Sequence, residues 1–150
     1  MYLDQTTFSK VVESTPLISI DLVVESSEGH FLLGLRNNRP AQGYWFVPGG
    51  RVLKGESLDN AFQRLCQEEL GMAFERSSAL FLGTFEHFYE DSVFGEGIST
   101  HYIVLGYTLQ VDFALDTLPK QQHNLYRWFT RDEMLEHDKV HIHSKWYLSQ

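Results

Sequence analysis

Apolar positions along the chain fall into two rhythms, one suited to strands and one to helices. Residues 17–25, LISIDLVVE, form a nearly continuous run of branched side chains and predict a strand. A turn at 26–29 and a second strand over 30–36 follow, and the two strands pair as a hairpin. The segments 44–47, 79–89, 100–111 and 126–129 are rich in aromatic and β-branched residues and complete the set of predicted strands. Helical spacing occurs over 6–14, where Phe8, Val11 and Val12 share a side and Thr6 or Thr7 supplies the cap; packing or a dimer contact accounts for that face. It recurs over 57–70, after Thr130 for about two turns carrying Met134 and Leu135, and over 144–150. The stretches 40–43, 91–99 and 112–124 read as loops.

Strands interspersed with a few helices around one core predict an α+β fold (α/β in the broad sense) in a single domain, residues 1–150. A hydrophobic content of 43% with 14% aromatics argues against disorder. No apolar run is long enough to span a membrane and the first residues lack the pattern of a signal peptide, so a cytoplasmic protein without membrane contact is expected. The single cysteine, Cys66, excludes an internal disulfide and suits a small apolar role. A net charge of −8 disfavours nucleic-acid binding, yet Arg36, Arg39, Arg51 and Arg64 cluster in sequence and could meet an anionic small molecule.

The helix over 57–70 is the chemical centre of this pattern. Ser57 is a plausible N-cap, Asp59 lies in the first turn, and Gly71 is a stop. Leu58, Ala61, Phe62 and Leu65 share a face, and Glu69, four residues beyond Leu65, falls on it. A buried carboxylate persists when paired, protonated or bound to a cation. Glu68 and Glu56 lie nearby, and several oxygens directed at one spot suit magnesium. In isolation Pro48-Gly49-Gly50 would read only as a turn; its place directly before this helix reverses that reading, with glycines that permit close approach to a ligand. Two placements are open for Asp21, a buried one requiring a partner and a solvated one on the face of Ser19 and Val23. Alone, His123 in KQQHN reads as a solvated loop side chain, His87 and Tyr102 as buried strand residues, and His141 and His143 as a surface tail without zinc spacing.

In register, Gly50, Glu56, Arg64, Glu68, Glu69, Gly71 and Met72 match G-x5-E-x7-R-E-U-x-E-E-x-G-U, with U aliphatic and Cys66 at the first U. The chain therefore resembles the Nudix hydrolases. One position departs, because Leu65 stands where the box carries a Glu that in many members binds metal or activates water. With the upstream run RPAQGYWFVPGGR, this departure resembles the GDP-mannose mannosyl hydrolase subgroup. The resemblance implies a mixed β-sheet sandwiched between helices, a homodimer, and magnesium, with manganese as a substitute.

It also implies hydrolysis of a nucleotide sugar, GDP-mannose, to GDP and free sugar by water attack at the anomeric carbon with inversion. His123 would be the general base, a role that fits the gap at Leu65 because imidazole titrates near neutrality. The Gly49 carbonyl, Glu69 and Gln122 would hold the metal, with Glu68 and Glu56 secondary. Arg36 and Asp21 would join the catalysis, and Arg51, Arg64, His87 and Tyr102 would bind substrate; a forked guanidinium suits a diphosphate. The alternatives are a Nudix pyrophosphatase acting at phosphorus and a non-catalytic nucleotide-sugar sensor.

Overall fold

The computed structural model describes residues 2–119 and 123–149, with the backbone alone at 123 and 124. A seven-stranded mixed sheet runs in the order β3-β2-β1-β6-β5, from β1 (Leu17–Glu25), β2 (Phe31–Arg36), β3 (Trp45–Phe46), β5 (Leu80–Tyr89) and β6 (Thr100–Gln110). Two further strands lie off this path: β4 (Gly49–Arg51) pairs with β1, and β7 (His123–Phe129) pairs with β2. Only the β1–β6 pair is parallel among the described residues; the other pairs are antiparallel. With helices on both faces, this is the expected α+β Nudix fold.

Alternation along β1 sorts the core into two layers. Ile20, Leu22 and Val24 are fully buried against α2 (Leu58–Leu70), packing on Ala61, Phe62 and Leu65. Val23 faces the other way, toward α3 (Arg131–Glu136), α4 (Ile142–Lys145) and the 3-10 turn Trp146–Ser149, in a cluster with Phe46, Phe129, Met134 and Tyr147. Burial on both faces explains why the β1 sequence is apolar almost throughout. Asp21 shares the Val23 face and is buried, which decides between its two placements.

The caps of α2 follow the sequence: the Ser57 side chain accepts from Asn60 N, and Gly71 closes the helix in the left-handed conformation at φ 80°. Thr130 forms a capping box with Glu133 on α3. On α1 (Gln5–Ser14) the cap is Asp4 rather than Thr6 or Thr7, because Thr7 is itself the residue whose amide donates to the Asp4 carboxylate, at 2.7 Å.

Pro48-Gly49-Gly50 leads into a strand. The hairpin strands β1 and β2 separate beyond Glu25↔Phe31, and residues 45–51 cross the fork, pairing first with β2 and then with β1. A Cβ on Gly49 would collide with the Ile20 carbonyl and sit 2.5 Å from Asp21 Oδ1, while one on Gly50 would sit 2.5 Å from Leu65 Cδ2. Glycine is thus required because β4 lies between β1 and α2. Among the described residues, no helix is long and apolar enough to cross a membrane.

Since Gly49 meets backbone and Gly50 meets the flexible tip of a leucine, Gly49→Ala is expected to destabilise the fold by about 1–3 kcal/mol and Gly50→Ala by less. Equilibrium urea unfolding of both variants measures the difference, and the reverse order would contradict this account of β4.

Candidate active site

Strand register gathers the residues that sequence reasoning singled out. Tyr102 lies beside Leu17 on one flank and His87 on the other, and Asp21, four residues along the same face of β1, is opposite Gly49. Asp21, Arg36, Gly49, Arg51, His87 and Tyr102 consequently line one cleft of about 180 Å³, together with Ser19, Phe46 and Tyr89.

Asp21 is the most perturbed acid there. Burial pushes its carboxyl up to about 7, against the opposing pull of the Tyr147 hydroxyl, which donates to Oδ2 at 2.5 Å, and of Arg36. Among the described residues Arg36 Nε is buried without a hydrogen-bond partner, so a cationic donor faces a cleft that contains an acid. The Arg51 guanidinium lies 4.6 Å over the Phe8 ring, which holds it at the cleft edge. Burial raises the Tyr102 phenol and keeps it a neutral donor.

The box carboxylates separate into two groups. Glu56 accepts from Arg64 Nε at 2.7 Å and Nη2 at 2.9 Å and from Leu53 N; Glu68 accepts from Arg64 Nη1 at 3.0 Å and from the Tyr2 hydroxyl. Arg64 also donates to the Arg51 carbonyl at 2.8 Å. These bonds bind α2 to the loop before it and engage the Arg64 fork that the sequence offered to a diphosphate. Glu69 instead turns toward Gly49, whose N–H donates to Oε1 at 3.3 Å.

Leu22 N bonds Pro48 O and Val52 N bonds Ile18 O, so the alternation of an antiparallel ladder leaves both polar groups of Gly49 pointing away from β1. The Gly49 carbonyl and the Glu69 carboxylate therefore fit as neighbouring oxygen ligands for a hard cation. Among the described residues, no set of three His, Cys, Asp or Glu side chains forms a metal cluster. Gln122 lies outside the described residues. The backbone of His123 opens β7 opposite Arg36, and its side chain also lies outside them.

The tail reading of His141 and His143 is overturned. His143 is buried and stacks on His87 with ring centroids 4.2 Å apart, His141 lies 4.5 Å from His143, and its Nδ1 accepts from His143 N. Val140, Ile142, Trp146, Tyr147 and Leu148 around these histidines were the signal of a packed segment rather than a tail. Burial lowers His87 and His141 to about 4 and His143 to about 3, so all three are neutral at pH 7. His87 Nε2 has no hydrogen-bond partner among the described residues and belongs to a residue lining the cleft, where a hydroxyl could pair with it.

A family model described as the NUDIX domain matches residues 15–150. The chain belongs to the NUDIX domain family. Its Nudix fold is similar to that of the MutT protein from Methanosarcina mazei Go1, with a TM-score of 0.73 and 21% identity over 91% of this chain and 93% of that one. It is likewise similar to the NUDIX domain of Shewanella oneidensis NrtR, whose structure is a complex with ADP ribose, with a TM-score of 0.65 and 19% identity over 98% and 92% of the two chains. The low-salt glycan biosynthesis protein Agl8 of Haloferax volcanii is 48% identical over 103 residues, 68% of this chain. The aligned region spans 64% of that relative's length.

The buried histidines make Nudix-fold stability depend on pH. Their folded pKa values lie below the unfolded value, so their contribution is complete above about pH 6.5 and is lost as pH falls toward 4, by up to about 1.4 kcal/mol per histidine per pH unit. Asp21, raised in the fold, acts with the opposite sign over the same window, but three imidazoles outweigh one carboxyl. Unfolding free energy should therefore fall between pH 6.5 and 4, and His143→Phe should flatten the slope. An unchanged slope in that variant would contradict the assignment.

Proposed function

We propose that this Nudix protein hydrolyses a nucleoside diphosphate sugar, GDP-mannose, by attack of water on the anomeric carbon, releasing GDP and the free sugar with inversion. The observation that supports this reading most is the pairing of Leu65 with Asp21 across β4. Leu65 is 2% exposed and packs on Gly50, so this box position offers no carboxylate to activate water near phosphorus. The opposite face of the same strand has a buried carboxyl, and an arginine Nε and an imidazole Nε2 without hydrogen-bond partners among the described residues. That set suits a sugar: Asp21 would balance positive charge developing on an oxocarbenium-like ring, and His87 would meet a hydroxyl. The glycan-biosynthesis name of the Agl8 relative accords with nucleotide-sugar chemistry.

Nudix hydrolases generally use divalent metal ions, typically magnesium. Glu69, the Gly49 carbonyl and Gln122 would hold the ion, which supplies electrophilic stabilisation of charge on the departing diphosphate. Arg36 and Arg51 would bind the same group, with Tyr102 as a hydrogen-bond donor. Arg64 would act at one remove, by offsetting one of the two charges of Glu56 and Glu68 and holding both carboxylates beside the anion. His123 would take the proton from the attacking water. A homodimer with α1 as a contact completes the proposal.

Hydrolysis in oxygen-18 water followed by mass spectrometry tests the site of attack. Label is expected in the free sugar; label in GMP or in a sugar phosphate would favour cleavage at phosphorus and sink the carbon-attack reading. No turnover over a long incubation with magnesium, despite binding, would favour a sensor.

His123→Gln is expected to lower kcat by about 10²–10⁴-fold with a much smaller change in substrate binding. Steady-state kinetics beside calorimetric binding separates these quantities, and unchanged kcat at neutral pH would remove His123 from the role of base.

A further inference from the structure

Asp21 has a place in the proposed chemistry, but the group that orients it has been given none. That group comes from 126 residues away in the chain: the Tyr147 hydroxyl, in the 3-10 turn Trp146–Ser149, donates to Asp21 Oδ2 at 2.5 Å. Both side chains are buried. The two carboxylate oxygens consequently have different surroundings. Oδ2 accepts the phenol, whereas Oδ1 lies over Gly49, in the space a side chain would otherwise take at the cleft wall. The terminal torsion of a carboxyl is soft, so packing alone holds its plane weakly, and a directed hydrogen bond is what opposes rotation.

Tyr147 is itself constrained. Its ring meets Phe85 edge to face at 4.7 Å, and it fills the space left by Gly106, where a Cβ would lie 2.8 Å from Tyr147 Cε1. The C-terminal segment is tied to the sheet by the Val47 amide, which donates to Ser144 Oγ at 3.0 Å, and to α3 by Arg131, which donates to the Leu148 carbonyl. Burial and the neighbouring Asp21 raise the phenol, so it remains a donor.

We propose that Tyr147 is a positioning residue for the reaction, fixing the plane of the Asp21 carboxyl so that Oδ1 faces the substrate in the cleft. The inference rests on the reading of Asp21 as the carboxylate beside the reacting sugar. Tyr147 touches no substrate itself; it acts through one hydrogen bond, and Gly106 is part of the same device because it leaves room for the ring.

The test is a double-mutant cycle with Tyr147→Phe, Asp21→Asn and the combined variant, assayed on GDP-mannose with magnesium. Tyr147→Phe is expected to lower kcat about ten- to a hundredfold with KM within about twofold. In the Asp21→Asn background the same change should add nothing, because the group it acts through is gone. Equal losses in both backgrounds, or a wild-type kcat in Tyr147→Phe, would overturn the proposal. Gly106→Ala, which displaces the ring and keeps the hydroxyl, should reproduce the kcat loss, and full activity there counts against the role. If the wild-type protein does not turn over GDP-mannose, the proposed substrate fails on its own. The crystal structure of Tyr147→Phe then decides the positioning role: a rotated Asp21 carboxyl supports it, and an unchanged one overturns it.

Discussion

The close approach at Gly49 and Gly50 is the constraint on which the other features depend. β4 is three residues long, and successive positions in a strand face opposite sides, so one glycine leaves room for Asp21 and the next for Leu65. A side chain at either position would push β1 or α2 away. The same contact turns the polar groups of Gly49 outward to Glu69. The buried carboxyl above the strand, the acid of the box beside it and the apolar helix face below it are thus placed by a single steric requirement. Overpacking typically costs 1–3 kcal/mol, a sizeable part of the stability of an ordinary domain.

Charge is arranged around that contact so that an anion can enter an acidic protein. At −8 the chain as a whole repels a diphosphate, but salt screens exposed charges beyond roughly 8 Å, so local groups decide. At 4 Å and an effective dielectric of 20, one unit charge contributes about 4 kcal/mol. Arg64 offsets one of the two charges at Glu56, in the loop before α2, and Glu68, on α2, binding Glu56 in a two-point contact and Glu68 in a single one. Arg36 and Arg51 remain on the cleft side, facing Asp21. Engagement of Arg64 within the box lowers the negative charge of the α2 region without placing its guanidinium in the cleft.

Local signals were legible in the sequence and long-range ones were not. β1 has its predicted bounds, and α2 runs from its predicted cap to its predicted stop, because a serine cap and a left-handed glycine act within a few residues. Burial of Glu69 followed from helical period alone. The cap of α1 was misplaced among competing polar residues, since Asp4, Thr6 and Thr7 all carry acceptors and only backbone direction chooses between them. β4 was not legible as a strand because its partner is β1, which precedes it by some thirty residues and leaves no local mark. Asp21 and His143 were left undecided and misjudged for one reason: each is buried by a segment distant in the chain, through Tyr147 in one case and His87 in the other.

Leu65 and Tyr147 are best understood together. Leu65 is embedded in the core with Ile20, Leu22 and Phe62, and its tip occupies the space beneath Gly50, so a carboxylate there would be desolvated without a partner. A box built in this way has exchanged an acid for packing on the α2 side of β4. The polar groups that could do chemistry then concentrate on the other side, where no helix of the box supports them. The C-terminal segment fills that position: His143 lies against His87, Ser144 accepts from the backbone of Val47, and Tyr147 bonds to Asp21. An apolar residue in the motif and Tyr147 thus stand on the two faces of one three-residue strand, Leu65 beneath Gly50 and Tyr147 bonded to the Asp21 that lies against Gly49.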